Sequence, residues 1–391
     1  MTETVLPEDF DRQTFLRDYW QKKPLLIRAG SLSFIDPITP EELAGLACES
    51  AVESRLIQVN EQQNDWQLRC GPFSEQDFIS LPESRYSLLV QAVDQWVDDV
   101  SALLQDFDFI PAWRVDDVMI SYATDQGNVG PHFDYYDVFL IQGQGQKRWQ
   151  IGQRCDHTTP VDDHSGLKLL REFKPDQEWT VYPGDILYLP PGIAHYGVAE
   201  GNAMTYSVGF RAPSWAEIVS GVIDDAIDTL HEDQRYTDAH PRLPMHSGEI
   251  PADAVTQLQS LVHQLTDNPE LIRRWFGKTM TRPKYPLDPQ EHAEHQLDSI
   301  RSLKTQLEQG AILYKVPGAR FAYSCHDNSL ELFADGECYP AGLHTLSLLQ
   351  ALSKPGHIEP LPAEVIAAAL TDEDAAQLLI SVYNQGCLVL D

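Results

Sequence analysis

The sequence holds no apolar run long enough to span a membrane and no Lys/Arg-led apolar start. Both absences point away from a spanning helix and an export signal, toward a soluble chain that stays in the cytoplasm. The six cysteines (positions 48, 70, 155, 325, 338 and 387) form no C-x-x-C pair, so they read as reduced, mostly buried thiols. Basic residues are scarce. With 28 Lys and Arg against 59 Asp and Glu, the formal net charge is −31, which repels nucleic-acid phosphates and steers a basic partner inward. Direct DNA or RNA binding is therefore not expected. Internal repeats and low-complexity tracts are also missing. At 391 residues the chain has room for two or three domains.

What is present centres on Gly130-Pro131-His132-Phe133-Asp134-Tyr135-Tyr136-Asp137. An apolar run Val138–Ile141, a Gly143-Gln144-Gly145 turn and Lys147-Arg148-Trp149 follow. Farther on, Pro183-Gly184-Asp185 reads as a tight turn, Ile186–Leu189 as a short strand and Pro190-Pro191-Gly192 as a rigid turn leading to His195. On a strand, His132 and Asp134 would share one face. With His195 from a separate strand they make a two-histidine, one-carboxylate face that leaves three octahedral positions open, which suits Fe(II). Two turns around a short strand are what a small jelly-roll barrel needs to present a histidine inward.

His-x-Asp/Glu alone carries no weight, because a chain with 13 histidines and 59 acids produces it by chance and this one has four. Only His132/Asp134 lies between a Gly-Pro turn and a strand-like run. His231 is expected in the last turn of a helix, His292-Ala-Glu294 on a solvated polar helix face, and His357 in a loop.

In chain order, a helix is expected over Phe10–Trp20, a strand over Leu25–Ile27, and a helix from Thr39-Pro40-Glu41-Glu42, which has a capping box with proline at the first position. Strands are expected at Arg55–Val59, Trp66–Arg69, Ser87–Val93 and Val118–Tyr122, with a helix near Asp94–Leu104. Many short strands up to about residue 211 indicate a β-barrel or sandwich with a few helices. After Pro213 the character changes to helical spacing at Trp215–Leu230, Pro251–Leu265 and Pro269–Phe276. The Pro283–Pro289 stretch reads as a linker. Beyond it the expectation is a helix His292–Gln309, strands Ala311–Val316, Phe321–Cys325 and Leu330–Phe333, helices Thr345–Leu352 and Ala363–Leu370, and a strand Cys387–Leu390.

The ligand stretches, with Tyr206-Ser207-Val208-Gly209-Phe210-Arg211-Ala212-Pro213, resemble the JmjC-type cupin oxygenases and, within them, the bacterial ribosomal oxygenases. The resemblance runs through the whole chain. It implies an α+β protein: a double-stranded β-helix catalytic domain over 1–212, a helical dimerisation domain over 213–285 and a winged-helix-like domain over 286–391. Few cations, among them Lys304, Lys315, Arg320 and Lys354, stand among many acids in that last unit, which suits protein contacts better than DNA. The implied reaction is Fe(II)-, dioxygen- and 2-oxoglutarate-dependent hydroxylation of an arginine in a basic large-subunit ribosomal protein. His132, Asp134 and His195 would be the iron ligands.

Lys147 is the implied partner of the distal 2-oxoglutarate carboxylate. Arg148 is its rival, placed on the opposite face by strand alternation. Ser121 and Asn202 are candidate second donors to that carboxylate, or ordinary polar residues at strand ends. Tyr135, Tyr136 and Asp137 would stand at the pocket mouth, where aromatic rings and a carboxylate suit a guanidinium; a core tyrosine and a turn-forming aspartate are the plainer alternative. Two rivals share the triad. One is a JmjC hydroxylase of histidine or lysine on another protein. The other is a non-enzymatic cupin sensor acting through its C-terminal unit.

Overall fold

The computed structural model describes residues 4–30, 34–60, 65–162, 166–238, 243, 246–285, 296–326 and 329–391. His292 and Glu294, and the linker beyond residue 285, lie outside the described residues.

The N-terminal helices are fixed by their caps. Asp11 accepts from the amides of Gln13 and Thr14 at the start of α1 (Arg12–Asp18). The expected box of Thr39 and Glu42 opens α2 (Pro40–Leu46) with proline in its first turn. Two sheets then face one another. Eight strands run in the order β1 (Leu25–Ile27), β11 (Ile186–Leu189), β6 (Asp137–Gln142), β13 (Ala203–Phe210), β5 (Val115–Ala123), β4 (Tyr86–Val90), β2 (Ser54–Asn60), β3 (Asp65–Cys70). Opposite lies a smaller sheet, β10 (Pro175–Val181), β7 (Gln146–Arg154), β12 (Ile193–Glu200). All of the named pairings are antiparallel. A short β8–β9 ribbon (Val161–Asp162 with Leu169–Leu170) sits beside them.

The apolar run in β6 is buried on both faces. Val138 and Leu140 pack with Trp149, Ile151, Val181 and Leu187 between the sheets. Phe139 and Ile141 point the other way, into a core with Phe15, Phe107 and Tyr188. A strand with two dry faces loses the polar alternation of a half-exposed one.

Two expectations change here. The helix foreseen near Asp94–Leu104 is broken into a 3₁₀ turn (Val93–Gln95), α3's successor α4 and a second 3₁₀ turn (Leu103–Phe107); α3 is Glu75–Ile79 and α4 is Asp98–Ala102. The break has a cause: Ala92 takes a left-handed φ of 49°, and Asp94 turns to accept the Val118 amide at 2.8 Å. Of the cysteines, Cys155 and Cys387 are buried, while Cys70 and Cys325 are exposed.

The middle segment is helical: α5 (Trp215–Ile227), α6 (Ala252–Thr266) and α7 (Pro269–Thr281). His231 lies past the end of α5, exposed, and not in its last turn. The C-terminal unit joins α8 (Ile300–Glu308), a β14–β18 pair (Leu313–Lys315, Leu388–Leu390), a three-stranded sheet β15–β16–β17 (Phe321–His326, Ser329–Ala334, Glu337–Ala341), and helices α9 (Leu346–Leu352), α10 (Ala363–Ala369) and α11 (Glu373–Asn384). Its own core includes Leu303, Leu332, Leu349 and Leu379. Helix α7 packs on this sheet as well as on α5: Arg273 and Arg274 both donate to Glu331, and Gly221 of α5 lies against the Trp275 ring. No helix among the described residues is long and apolar enough to cross a membrane.

Candidate active site

The ligand stretch is extended but is not a strand. His132 forms an isolated antiparallel bridge with His195, the third residue of β12. Each backbone amide donates to the other's carbonyl, at 3.1 and 2.8 Å. The Gly192 amide adds a bond to the Asp134 carbonyl at 2.7 Å. Gly192 has a φ of +76°, and a Cβ there would stand 2.8 Å from the Cys155 carbonyl, so the Pro-Pro-Gly turn needs glycine.

Side-chain geometry then fixes the chemistry. The Nδ1 of His132 is 2.9 Å from the Gly130 carbonyl, and that of His195 is 2.9 Å from the Ile193 carbonyl. Since a carbonyl only accepts, both Nδ1 atoms carry the proton and both Nε2 lone pairs are free. Those Nε2 atoms lie 3.9 Å (His132) and 3.6 Å (His195) from Asp134 Oδ2. Burial, then the neighbouring His132, push the His195 pKa down to about 4, which keeps the ring in the neutral form that a metal requires. The three ligand atoms lie within 4.8 Å of one another, the one such cluster of His, Cys, Asp and Glu among the described residues.

The triad opens into a cavity of about 990 Å3. Lys147 of β7 lines it, buried, with no hydrogen bond or ion pair to any described residue; its Nζ is 5.0 Å from the Trp149 ring centre. Burial lowers its pKa to about 8. Arg148 points away and pairs with Glu178 and Glu200 at 3.1 and 3.3 Å, so strand alternation decides between the two cations. Ser121 also lines the cavity, in register with Thr205 of β13. Tyr135 and Tyr136 stand exposed at its edge, and the Asp134 carboxylate holds the Tyr136 phenol well above its ordinary pKa.

Two expected residues lie elsewhere. Asn202 is exposed in the Gly201-Asn202 turn between β12 and β13 and does not line the cavity. Asp137 is fully buried, where it accepts from the Tyr188 hydroxyl (2.6 Å), Gln21 Nε2 (3.1 Å) and Arg114 (3.1 Å). As the first residue of β6 it shares the face of Phe139 and Ile141, turned from the cavity. Sequence reasoning missed Asp116, Asp117, Ser207 and Lys284, all of which line the cavity. Asp117 was within reach, because it shares a strand face with Met119 and Ser121. Asp117 Oδ2 accepts from the Ala92 amide, Gln91 and Lys284, while its Oδ1 takes no hydrogen bond from any described residue.

The chain is similar to known proteins along nearly its whole length. A family model for the JmjC domain matches residues 102–218, and one for a ROXA-like winged helix matches 262–389. The ribosomal protein uL16 3-hydroxylase of Escherichia coli is 37% identical over 95% of both chains. A probable ribosomal oxygenase of Haemophilus influenzae is 33% identical over 85% of this chain and 83% of its own. The X-ray structure of E. coli YcfD superposes with a TM-score of 0.86 at 34% identity, covering 98% of this chain and 99% of that one. A YcfD structure in complex with cobalt and 2-oxoglutarate gives a TM-score of 0.80 at 34% identity, with the same coverage. The chain belongs to the JmjC family, and within it to the bacterial ribosomal oxygenases.

Proposed function

We propose that this chain is an Fe(II)- and 2-oxoglutarate-dependent hydroxylase of an arginine side chain in ribosomal protein uL16, working in the cytoplasm. The observation that carries the reading is the convergence of two Nε2 atoms and one carboxylate beside a buried ammonium that is unpaired among the described residues. That donor set fits a divalent iron with three open positions. Bound there, iron with 2-oxoglutarate and dioxygen supplies C–H hydroxylation, 2-oxoglutarate leaving as succinate and carbon dioxide. The protein holds and orients the parts. His132, Asp134 and His195 hold the metal, and the carbonyls of Gly130 and Ile193 set their rings. Lys147 receives the distal carboxylate of the cosubstrate, with Ser121 beside it as a hydroxyl donor. Val138, Leu140 and Trp149 keep water out. Asp117 Oδ1, free among the described residues, accepts a guanidinium N–H, a role expected of Asp137 from the sequence, and Tyr135 and Tyr136 offer faces for stacking. A net charge of −31 draws in a basic ribosomal protein.

Intact-mass spectrometry tests this reading. A uL16 peptide incubated with the protein, Fe(II), ascorbate and 2-oxoglutarate is expected to gain one oxygen, localised to arginine. Succinate formed without peptide oxidation would discard the substrate; no turnover with iron bound would favour a sensor.

The chain also works as a homodimer in this reading, supported by an unmatched apolar stripe. Helix α6 buries none of its described residues, yet Val255, Leu258 and Val262 are spaced along one face and exposed. On α5, Trp215 and Val219 are exposed as well. A second copy would cover both. The double variant Leu258→Asp, Val262→Asp is expected to halve the mass in light scattering; wild-type protein that is already monomeric would remove the dimer.

A further inference from the structure

The cavity wall that carries Asp116 and Asp117 is held from outside the catalytic domain. Arg320, the residue before β15, stands in the C-terminal unit, where its amide donates to Asp335 Oδ1 at 2.7 Å and its carbonyl accepts from the Asp335 amide at 3.0 Å. That closure of the β15–β16 hairpin aims its side chain across the domain boundary. Its Nη1 donates to the Val115 carbonyl at 2.7 Å, and its Nη2 donates to the Asp116 carbonyl and to Asp116 Oδ1 at 3.2 Å. Only 12% of the side chain is exposed. One guanidinium thus grips the first two residues of β5, next to Asp117 and ahead of the β4 pairing that begins at Ile120; Ser121, farther along, is held by Leu89 of β4 and Thr205 of β13.

Two further cations complete the clamp. Arg211 donates to Asp116 Oδ1 at 3.0 Å and to the Met280 carbonyl at 3.2 Å. Lys284 bridges Asp116 Oδ2 and Asp117 Oδ2 at 3.3 and 2.9 Å. With Asp116 fully engaged and Asp117 Oδ2 taken, the oxygen left for an incoming cation, among the described residues, is Asp117 Oδ1. Its aim depends on where β5 begins.

We propose that Arg320 is a positioning residue for substrate recognition, through which the C-terminal unit sets the acid wall that receives the substrate's cationic side chain. The inference rests on the reading of the substrate as an arginine side chain. A planar guanidinium suits this place because its two terminal nitrogens spread their donors over three acceptors, two of them backbone carbonyls, where an ammonium would offer a single point.

The test uses the full chain with Arg320→Gln and the conservative Arg320→Lys. Peptide KM and kcat are measured with the uL16 peptide, 2-oxoglutarate affinity on the Mn(II)-loaded protein, and thermal midpoint without ligands. The expected result for Arg320→Gln is a peptide KM raised at least about tenfold, as fits the loss of charge-assisted bonds to the wall, with 2-oxoglutarate affinity unchanged. Arg320→Lys should recover part of that loss. An unchanged peptide KM overturns the proposal. So does a fall in thermal midpoint accompanied by equal losses in peptide and 2-oxoglutarate binding, which would make Arg320 fold support only. Wild-type protein that leaves the arginine peptide unmodified shows, before any variant is compared, that the substrate reading has failed, and the inference falls with it.

Discussion

Asp134→Ala is expected to yield a folded protein that no longer retains Fe(II) and hydroxylates at least about a hundredfold more slowly, beyond the 10–100-fold that outer partners of metal ligands carry. The carboxylate is the one anionic donor of the triad. Without it, two neutral imidazoles must hold a divalent cation that prefers a facial set of three. Folding should be spared, because the segment is anchored by its backbone. The Asp134 carbonyl accepts from Gly192, and the bridge between His132 and His195 uses only main-chain atoms. Stability within about 1 kcal/mol of the parent is expected for a substitution that removes no core contact. Metal content after dialysis, read with the d–d absorption of a Co(II)-loaded sample, separates the outcomes. Stoichiometric metal and an unchanged Co(II) spectrum in the variant would place the metal elsewhere.

Residues whose roles depend on local pattern were legible in the sequence; residues whose roles depend on register between distant strands were not. His132, Asp134 and His195 stand out because turn chemistry brackets them: Gly130-Pro131 on one side, Pro190-Pro191-Gly192 on the other. Leu25–Ile27 and Ile186–Leu189 are strands with the bounds expected of them. Lys147 separates from Arg148 by alternation alone, which is a local rule. Asp137 shows the limit. Being adjacent to the ligands made it look like a pocket residue, whereas its face of β6 is decided by pairing with β11 and β13. Asn202 failed for a different reason: Gly201-Asn202 is itself a local signal for a two-residue hairpin turn between β12 and β13, which takes the side chain away from the cavity. Helix α11 was overlooked although Asp372 caps it and Glu373 and Asp374 fill its first turn; its small residues, Ala375 and Ala376, hid an apolar face. Arg320 could not have been found this way, since its partners at Val115 and Asp116 are some two hundred residues earlier.

Lys147→Met should raise the dissociation constant of 2-oxoglutarate by about 30-fold or more, matching the 2–5 kcal/mol typical when one partner of a buried charge pair is removed. The ammonium is buried and, among the described residues, unpaired, so it stands ready for a carboxylate and gives up no existing ion pair to receive one. Burial has already lowered its pKa to about 8, and the sign of the pH dependence follows. Below that value the free protein holds the charged form that the dianion needs. Above it, deprotonation competes with binding, and affinity for 2-oxoglutarate should fall toward tenfold per pH unit. Arginine does not deprotonate in this range and offers a two-pronged fork. Lys147→Arg should therefore bind 2-oxoglutarate with little change between pH 7 and 9, whereas the wild type weakens. Calorimetric titration of the Mn(II)-loaded protein across that range checks both. A wild-type profile as flat as that of Lys147→Arg would mean that another group holds the distal carboxylate. Ser121, a neutral hydroxyl on the same cavity wall, would be one such donor, and its bond would carry no such dependence on pH.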